Sequence, residues 1–155
     1  MENEILIPDE IITNKIYLIR NQKVLLDNHL AELYQVETRV LKQAVRRNIK
    51  RFPKDFMFEF SKDEFQNWRS QFVTSNSSDK MGLRYTPMVF TEQGVAMLSS
   101  ILKSDRAISV NIKIIRIFTK LRQLLSDTKN VQLEIENIKK KVTNHDKNIE
   151  LIFSN

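Results

Sequence analysis

The chain has 155 residues, 41% of them apolar, enough for one domain with an appendage. It has no cysteine, which excludes disulfides, thiolate metal sites and cysteine nucleophiles. The net charge of +6 lies entirely in residues 1–125, because residues 126–155 hold five Lys against five acidic residues.

The N-terminus, MENEILIPDEII, is acidic and lacks a long apolar run. Neither a signal peptide nor a membrane anchor is expected there, no membrane partner is expected, and a cytoplasmic location is the default. Residues 1–14 read as a loose arm with an apolar patch at Ile5 to Ile7, since Pro8 discourages helix. Lys15 to Leu26, KIYLIRNQKVLL, reads as a hairpin with Asn21 and Gln22 at its turn.

Leu26 to Lys50, LDNHLAELYQVETRVLKQAVRRNIK, reads as two short helices joined by a tight turn. Asp27 is the expected N-cap of the first, and Thr38 of the second, which runs to about Asn48. Leu41, Ala44 and Val45 share one face of the second helix. The other face carries Arg39, Lys42, Gln43, Arg46 and Arg47. The succession Ala31, Val36, Leu41, Ala44 resembles the helix-turn-helix of phage repressors. Gln35 stands where that pattern favours Gly for a left-handed turn, at a cost of roughly 1 kcal/mol. A plain helical hairpin has similar spacing, so charge is what separates the two readings. Arg39 to Lys54 holds seven positive charges and no acid, the footprint of phosphate contact. Arg39, Lys42 and Gln43, near the helix start, are expected at base edges of double-stranded DNA. Arg46, Arg47, Lys50 and Arg51 are better placed for phosphates.

RFPKDFMFEF, from Arg51, changes period. Pro53 ends the helix, and Phe56, Phe58 and Phe60 give a strand with one aromatic face. Ser61 with Glu64 makes a capping box for a helix to about Gln71, with Phe65 and Trp68 on its inner side. A helix-face Trp beside a Phe indicates core rather than a base-stacking platform. The polar run Phe72 to Leu83 reads as a loop. Arg84 to Phe90 reads as a strand that Pro87 marks as an edge or bulge, paired with Phe56 to Phe60. That pair is either a wing against the DNA backbone, with Lys80 and Arg84 near its tip, or a mobile connector.

Thr91 caps the next helix, TEQGVAMLSSIL, in which Gly94 either weakens the helix or permits close packing. The chain has only two glycines, Gly82 and Gly94, so a phosphate-cradling loop is absent. His29 and His145 lie far apart in sequence with no motif joining them, so no zinc site is expected. No constellation supports catalysis, and neither a metal nor another cofactor is expected.

From Arg106 a helix is expected, with Ile108, Ile112, Ile115 and Phe118 as its apolar stripe, widened by Ile114, Ile117 and Leu121. Leu121, Leu124, Thr128, Val131, Ile135, Ile138, Val142, His145, Ile149 and Ile152 then follow the 3-4 spacing of heptads. Eight of these ten are apolar, so the narrow stripe favours a partner helix. A coiled coil of about 52 Å is expected, making the protein a homodimer or higher homo-oligomer.

KIYLIRNQKVLLDNHLAELYQVETRVLKQAVRRNIKRFPKDFMFEF followed by YTPMVFTEQGVAMLSSIL resembles the KilA-N-type, phage antirepressor-like DNA-binding domain, over about Lys15 to Leu125. The resemblance implies an intracellular α+β domain that binds DNA in phage or prophage gene regulation, with a variable C-terminal region and no catalytic residue. No further folded domain is expected after the coil, although an antirepressor would call for one. The expected architecture is therefore α+β: a helix-turn-helix core with short β-hairpin strands over 15–120, then a coiled-coil helix over 121–155. A protein-interaction module that sequesters a repressor or other protein partner through the coil is the alternative.

Overall fold

The structure, a computed structural model, describes residues 7–72 and 86–153, and the side chains of residues 7–71 and 86–142. The chain divides into two units, Met1–Ile117 and Phe118–Asn155. The first is α+β and holds a four-stranded, wholly antiparallel sheet.

Where a loose arm was expected, Asp9–Thr13 forms a short helix, α1. Pro8 stands just before its first turn, where a missing N–H removes no helical hydrogen bond. Ile12 is fully buried and anchors the segment.

Strands β1 (Ile16–Ile19) and β2 (Gln22–Leu26) pair with Ile19 opposite Gln22. The turn is Arg20-Asn21, one residue earlier than expected. Both have positive φ, 52° and 61°, as a two-residue type I′ hairpin turn requires. Asn tolerates that conformation; Arg does not readily. The Arg20 side chain is held by other bonds. Its guanidinium forks onto Glu64 with Nε and Nη2 at 2.7 and 2.8 Å and lies 4.2 Å over the Phe58 ring.

The sheet order is β1-β2-β4-β3, where β3 is Met57–Glu59 and β4 is Met88–Phe90. The expected β3–β4 pairing is present, with Phe58 opposite Val89. The expectation of an edge strand is not met: β4 lies between β2 and β3. Pro87 does not interrupt the ladder because it precedes the first strand residue. One sheet face buries Val24, Leu26, Phe58, Phe60 and Val89, covered by Tyr17, Ile19, Phe65 and Trp68. Trp68 packs against Tyr17, Phe60 and Phe65 with centroids 5.9–6.4 Å apart, as a core residue. The alternate residues Leu25, Met57 and Phe90 are buried too, with Phe52 edge-on to Phe90 at 6.0 Å.

Helix α4 (Lys62–Phe72) opens on the expected box: Ser61 N–H donates to Glu64 Oε1 at 2.8 Å, and Glu64 N–H to Ser61 Oγ at 3.2 Å. Thr91 caps α5 (Glu92–Leu98) by accepting from Gly94 N–H. A Cβ on Gly94 would lie 2.0 Å from the Phe56 carbonyl oxygen, so glycine here permits α5 to meet the β3 entry backbone.

Helix α6 runs from Asp105 to Phe153, and Ser104 Oγ accepts from Ala107 N–H at its start. Within the first unit its buried side is Ala107, Val110, Asn111, Ile114 and Ile117. Ile108 and Ile112, expected in the stripe, are 41% and 47% exposed. Isoleucines on two sides of the helix gave two candidate faces. Asn111 selects the inner one: its Oδ1 accepts from the Tyr34 hydroxyl, and its Nδ2 donates to Ser99 Oγ at 2.8 Å.

The hydrogen bond from Arg20 holds Glu64 at about 2, below the ordinary 4.5, with the Ser61 bonds adding to it. A depressed folded value stabilises the fold above the unfolded pKa, and that contribution is lost as pH falls. Between about pH 5 and pH 3 the urea midpoint of the parent should therefore fall more steeply than that of Glu64→Gln. Parallel curves would mean that the Arg20–Glu64 pair carries no linked stability.

Candidate nucleic-acid interface

Helices α2 (Asp27–Tyr34) and α3 (Thr38–Arg47) are joined by Gln35, Val36 and Glu37. Gln35 is left-handed, φ 59° and ψ 45°, where the pattern favours Gly. Val36 N–H donates to Ala31 carbonyl at 2.9 Å and Gln35 N–H to Glu32 carbonyl at 3.1 Å. These two bonds form a Schellman ending, which reverses the chain and satisfies carbonyls the helix leaves open. Ala31, Leu41 and Val45 are buried.

The expected caps are each one residue out. Leu26 and Glu37 occupy the N-cap positions, and neither makes a side-chain cap bond. Asp27, in the first turn of α2, does something else. Its side chain is 3% exposed, and Oδ1 accepts from Asn28 N–H at 2.6 Å. Its Oδ2 accepts from Met88 N–H at 2.9 Å and lies 3.3 Å from Lys42 Nζ. Lys42 Nζ also donates to the Thr86 carbonyl at 3.3 Å. Lys42, expected at a base edge, is thus turned inward, with its side chain only 13% exposed.

The remaining expected residues of α3 stay together. Arg39, Gln43, Arg46 and Arg47 are exposed, and so is Val40. At about 100° per residue these five span an arc of about 120° with Gln43 at its centre. Arg39 Nη2 lies 3.2 Å from Glu37 Oε2, both solvent-exposed, a weak tie. Among the described residues, no hydrogen bond or ion pair engages the side chains of Gln43, Arg46, Arg47 or Lys50. Arg46 and Arg47 occupy the last turn of α3, where cations are favoured by the helix dipole. A 3-10 turn, Ile49–Arg51, carries the basic surface on through Lys50 to Arg51, whose Nη1 donates to Ser100 Oγ at 3.3 Å. In α2, burial pushes His29 down to about 4, with Lys15 adding to the effect, so the imidazole is neutral near pH 7 and α2 contributes no cation.

The charge run signalled this surface, but its membership needed the helix phase. Val40 was missed because the outer face was assembled from polar residues alone; its angle on α3 places it there too. Asp27 was missed because a short acid before a helix looks like a cap. Lys80 and Arg84, expected at the tip of a wing, lie outside the described residues.

The model of the ORF6N domain, a phage-associated family related to KilA-N and antirepressor-like domains, matches residues 14–101. That match shows the related ORF6N family rather than KilA-N itself, and the matched span stops well short of Leu125. No curated protein and no solved structure matches the chain.

Removing one partner of a buried ion pair leaves the other charge uncompensated. Lys42→Ala should therefore lower stability to urea by about 3 kcal/mol, whereas Gln43→Ala should change it by less than about 0.5 kcal/mol. Equal, small effects would show that Lys42 is not structural.

Proposed function

The chain belongs to the ORF6N domain family, and from that premise we propose that it binds double-stranded DNA sequence-specifically through α3, in phage or prophage gene regulation. The observation that carries this reading is the exposed face of α3: Arg39, Arg46 and Arg47 around a central Gln43, on the second helix of the α2–α3 pair. A helix of this kind fits the major groove, where Gln pairs in bidentate fashion with adenine and Arg with guanine. Arg39 and Gln43 take base edges; Arg46, Arg47, Lys50 and Arg51 take phosphates. Lys42 supports α3 from within.

The second unit bears on valency. Leu124, Val131, Ile135, Ile138 and Val142 are exposed, with relative accessibilities from 46% to 62%, while Leu121 is half-buried. The helix continues through Ile149 and Ile152, whose side chains lie outside those described. Thr128 Oγ1 donates to its own Leu124 carbonyl, so this polar interruption is satisfied within the helix. An exposed apolar stripe of this kind, interrupted at Thr128, marks a surface for a partner. We take that partner to be a second copy, which would let two α3 helices address two half-sites and gain avidity. The same stripe also favours a second reading, in which the helix captures a repressor or other protein.

Neutralising Arg46 and Arg47 together should weaken binding to all duplexes alike and flatten the dependence of log K on log salt by roughly two contacts. Fluorescence anisotropy across a salt series reads both effects, and parent-like affinity at ~0.15 M salt would remove this surface from the proposal. Sedimentation equilibrium of the full chain at ~50 μM should give a dimer, and a version ending at Leu125 a monomer. A monomeric full chain would leave the stripe to a different protein.

A further inference from the structure

We propose that Val40 is a specificity residue that reads thymine, its methyl groups meeting the 5-methyl of a T·A pair beside the base that Gln43 contacts. This rests on the DNA-binding reading and adds a base preference that neither the charge pattern nor the family match supplies.

Val40 is 42% exposed and contributes nothing to the buried side of α3, which is filled by Leu41 and Val45. It stands three residues before Gln43, so the two side chains are neighbours on the helix surface, about 5–6 Å apart at Cβ. Arg39 and Arg47 are exposed on the same arc, and Val40 is an apolar spot at the edge of that basic surface, next to Arg47. A phosphate offers such a spot nothing. The major groove offers one apolar group on any base edge, the thymine 5-methyl, and Gln and thymine methyl contacts both select A·T pairs. Val40 also lies in the first turn of α3, the end that approaches base edges in this motif. Its branched side chain is stiff at χ1, so little freedom is lost on contact.

The test uses the full chain and a preferred duplex selected from a random library. Each thymine of that duplex is replaced in turn by uracil, which lacks only the methyl group. At one thymine in each half-site the parent should lose about fourfold in affinity, the equivalent of ~0.8 kcal/mol for one buried methyl at 1.4 kcal/mol per tenfold. Val40→Ala should bind the thymine and uracil duplexes equally. Its thermal unfolding should match the parent, since Ala is a better helix former and the site is exposed. If no thymine-to-uracil change affects the parent, or if Val40→Ala discriminates as the parent does, the inference is overturned. A selection that yields no preferred duplex overturns the DNA-binding reading and this inference with it. A preferred duplex indifferent to uracil overturns the role of Val40 alone.

Discussion

The buried carboxylate of Asp27 is the joint on which the arrangement of α3 depends. An unpaired carboxylate out of water would be costly by several kcal/mol, and a buried pair is tolerable only when its hydrogen bonds are complete. Here two backbone N–H groups, from Asn28 and Met88, and the Lys42 ammonium meet its oxygens. These partners belong to α2, β4 and α3. One side chain therefore ties β4 to both α2 and α3. Because Lys42 is committed inward, the faces of α3 are assigned: Leu41 and Val45 go to the core, and Gln43 comes to the centre of the exposed arc. A change that looks like the loss of one surface cation would release the orientation of the whole helix.

Backbone strain is distributed by what each position can yield. Two turns place non-glycine residues at positive φ, Arg20-Asn21 in the hairpin and Gln35 between the helices. A left-handed residue with a Cβ costs on the order of 1–2 kcal/mol, which neighbouring bonds can offset: the Arg20–Glu64 fork in one case, the Schellman pair in the other. Gly94 is a different constraint. A Cβ 2.0 Å from a carbonyl oxygen meets backbone that is fixed by Thr91, whose Oγ1 donates to the Asp55 carbonyl and whose N–H donates to Phe56. A glycine is therefore present at the steric contact and absent from the strained turns.

The sequence made the hairpin, the two helices, the capping box and the long final helix legible, because each has a local signal: β-branched alternation, a cap, or a heptad. It was weakest where two local readings were equally good. Pro87 read as an edge marker, yet its place before the first ladder residue let β4 enter the middle of the sheet. Isoleucines on two sides of α6 left its inner face undecided until Asn111 met Tyr34 and Ser99. Pro8 was read as excluding helix, when it excludes only helix before it. In the candidate site, the charge run was visible but the inward turn of Lys42 was not. That turn depends on Asp27 fifteen residues earlier and on Thr86 and Met88 far later in the chain.

Amide chemical-shift mapping of the full chain during titration with its selected duplex tests the central claim most directly, because it requires no substitution. The account predicts that the largest shifts fall between Glu37 and Arg51 and that they weaken together as salt is raised. Large shifts confined to residues beyond Leu121, or to the α4 face around Trp68, would contradict it.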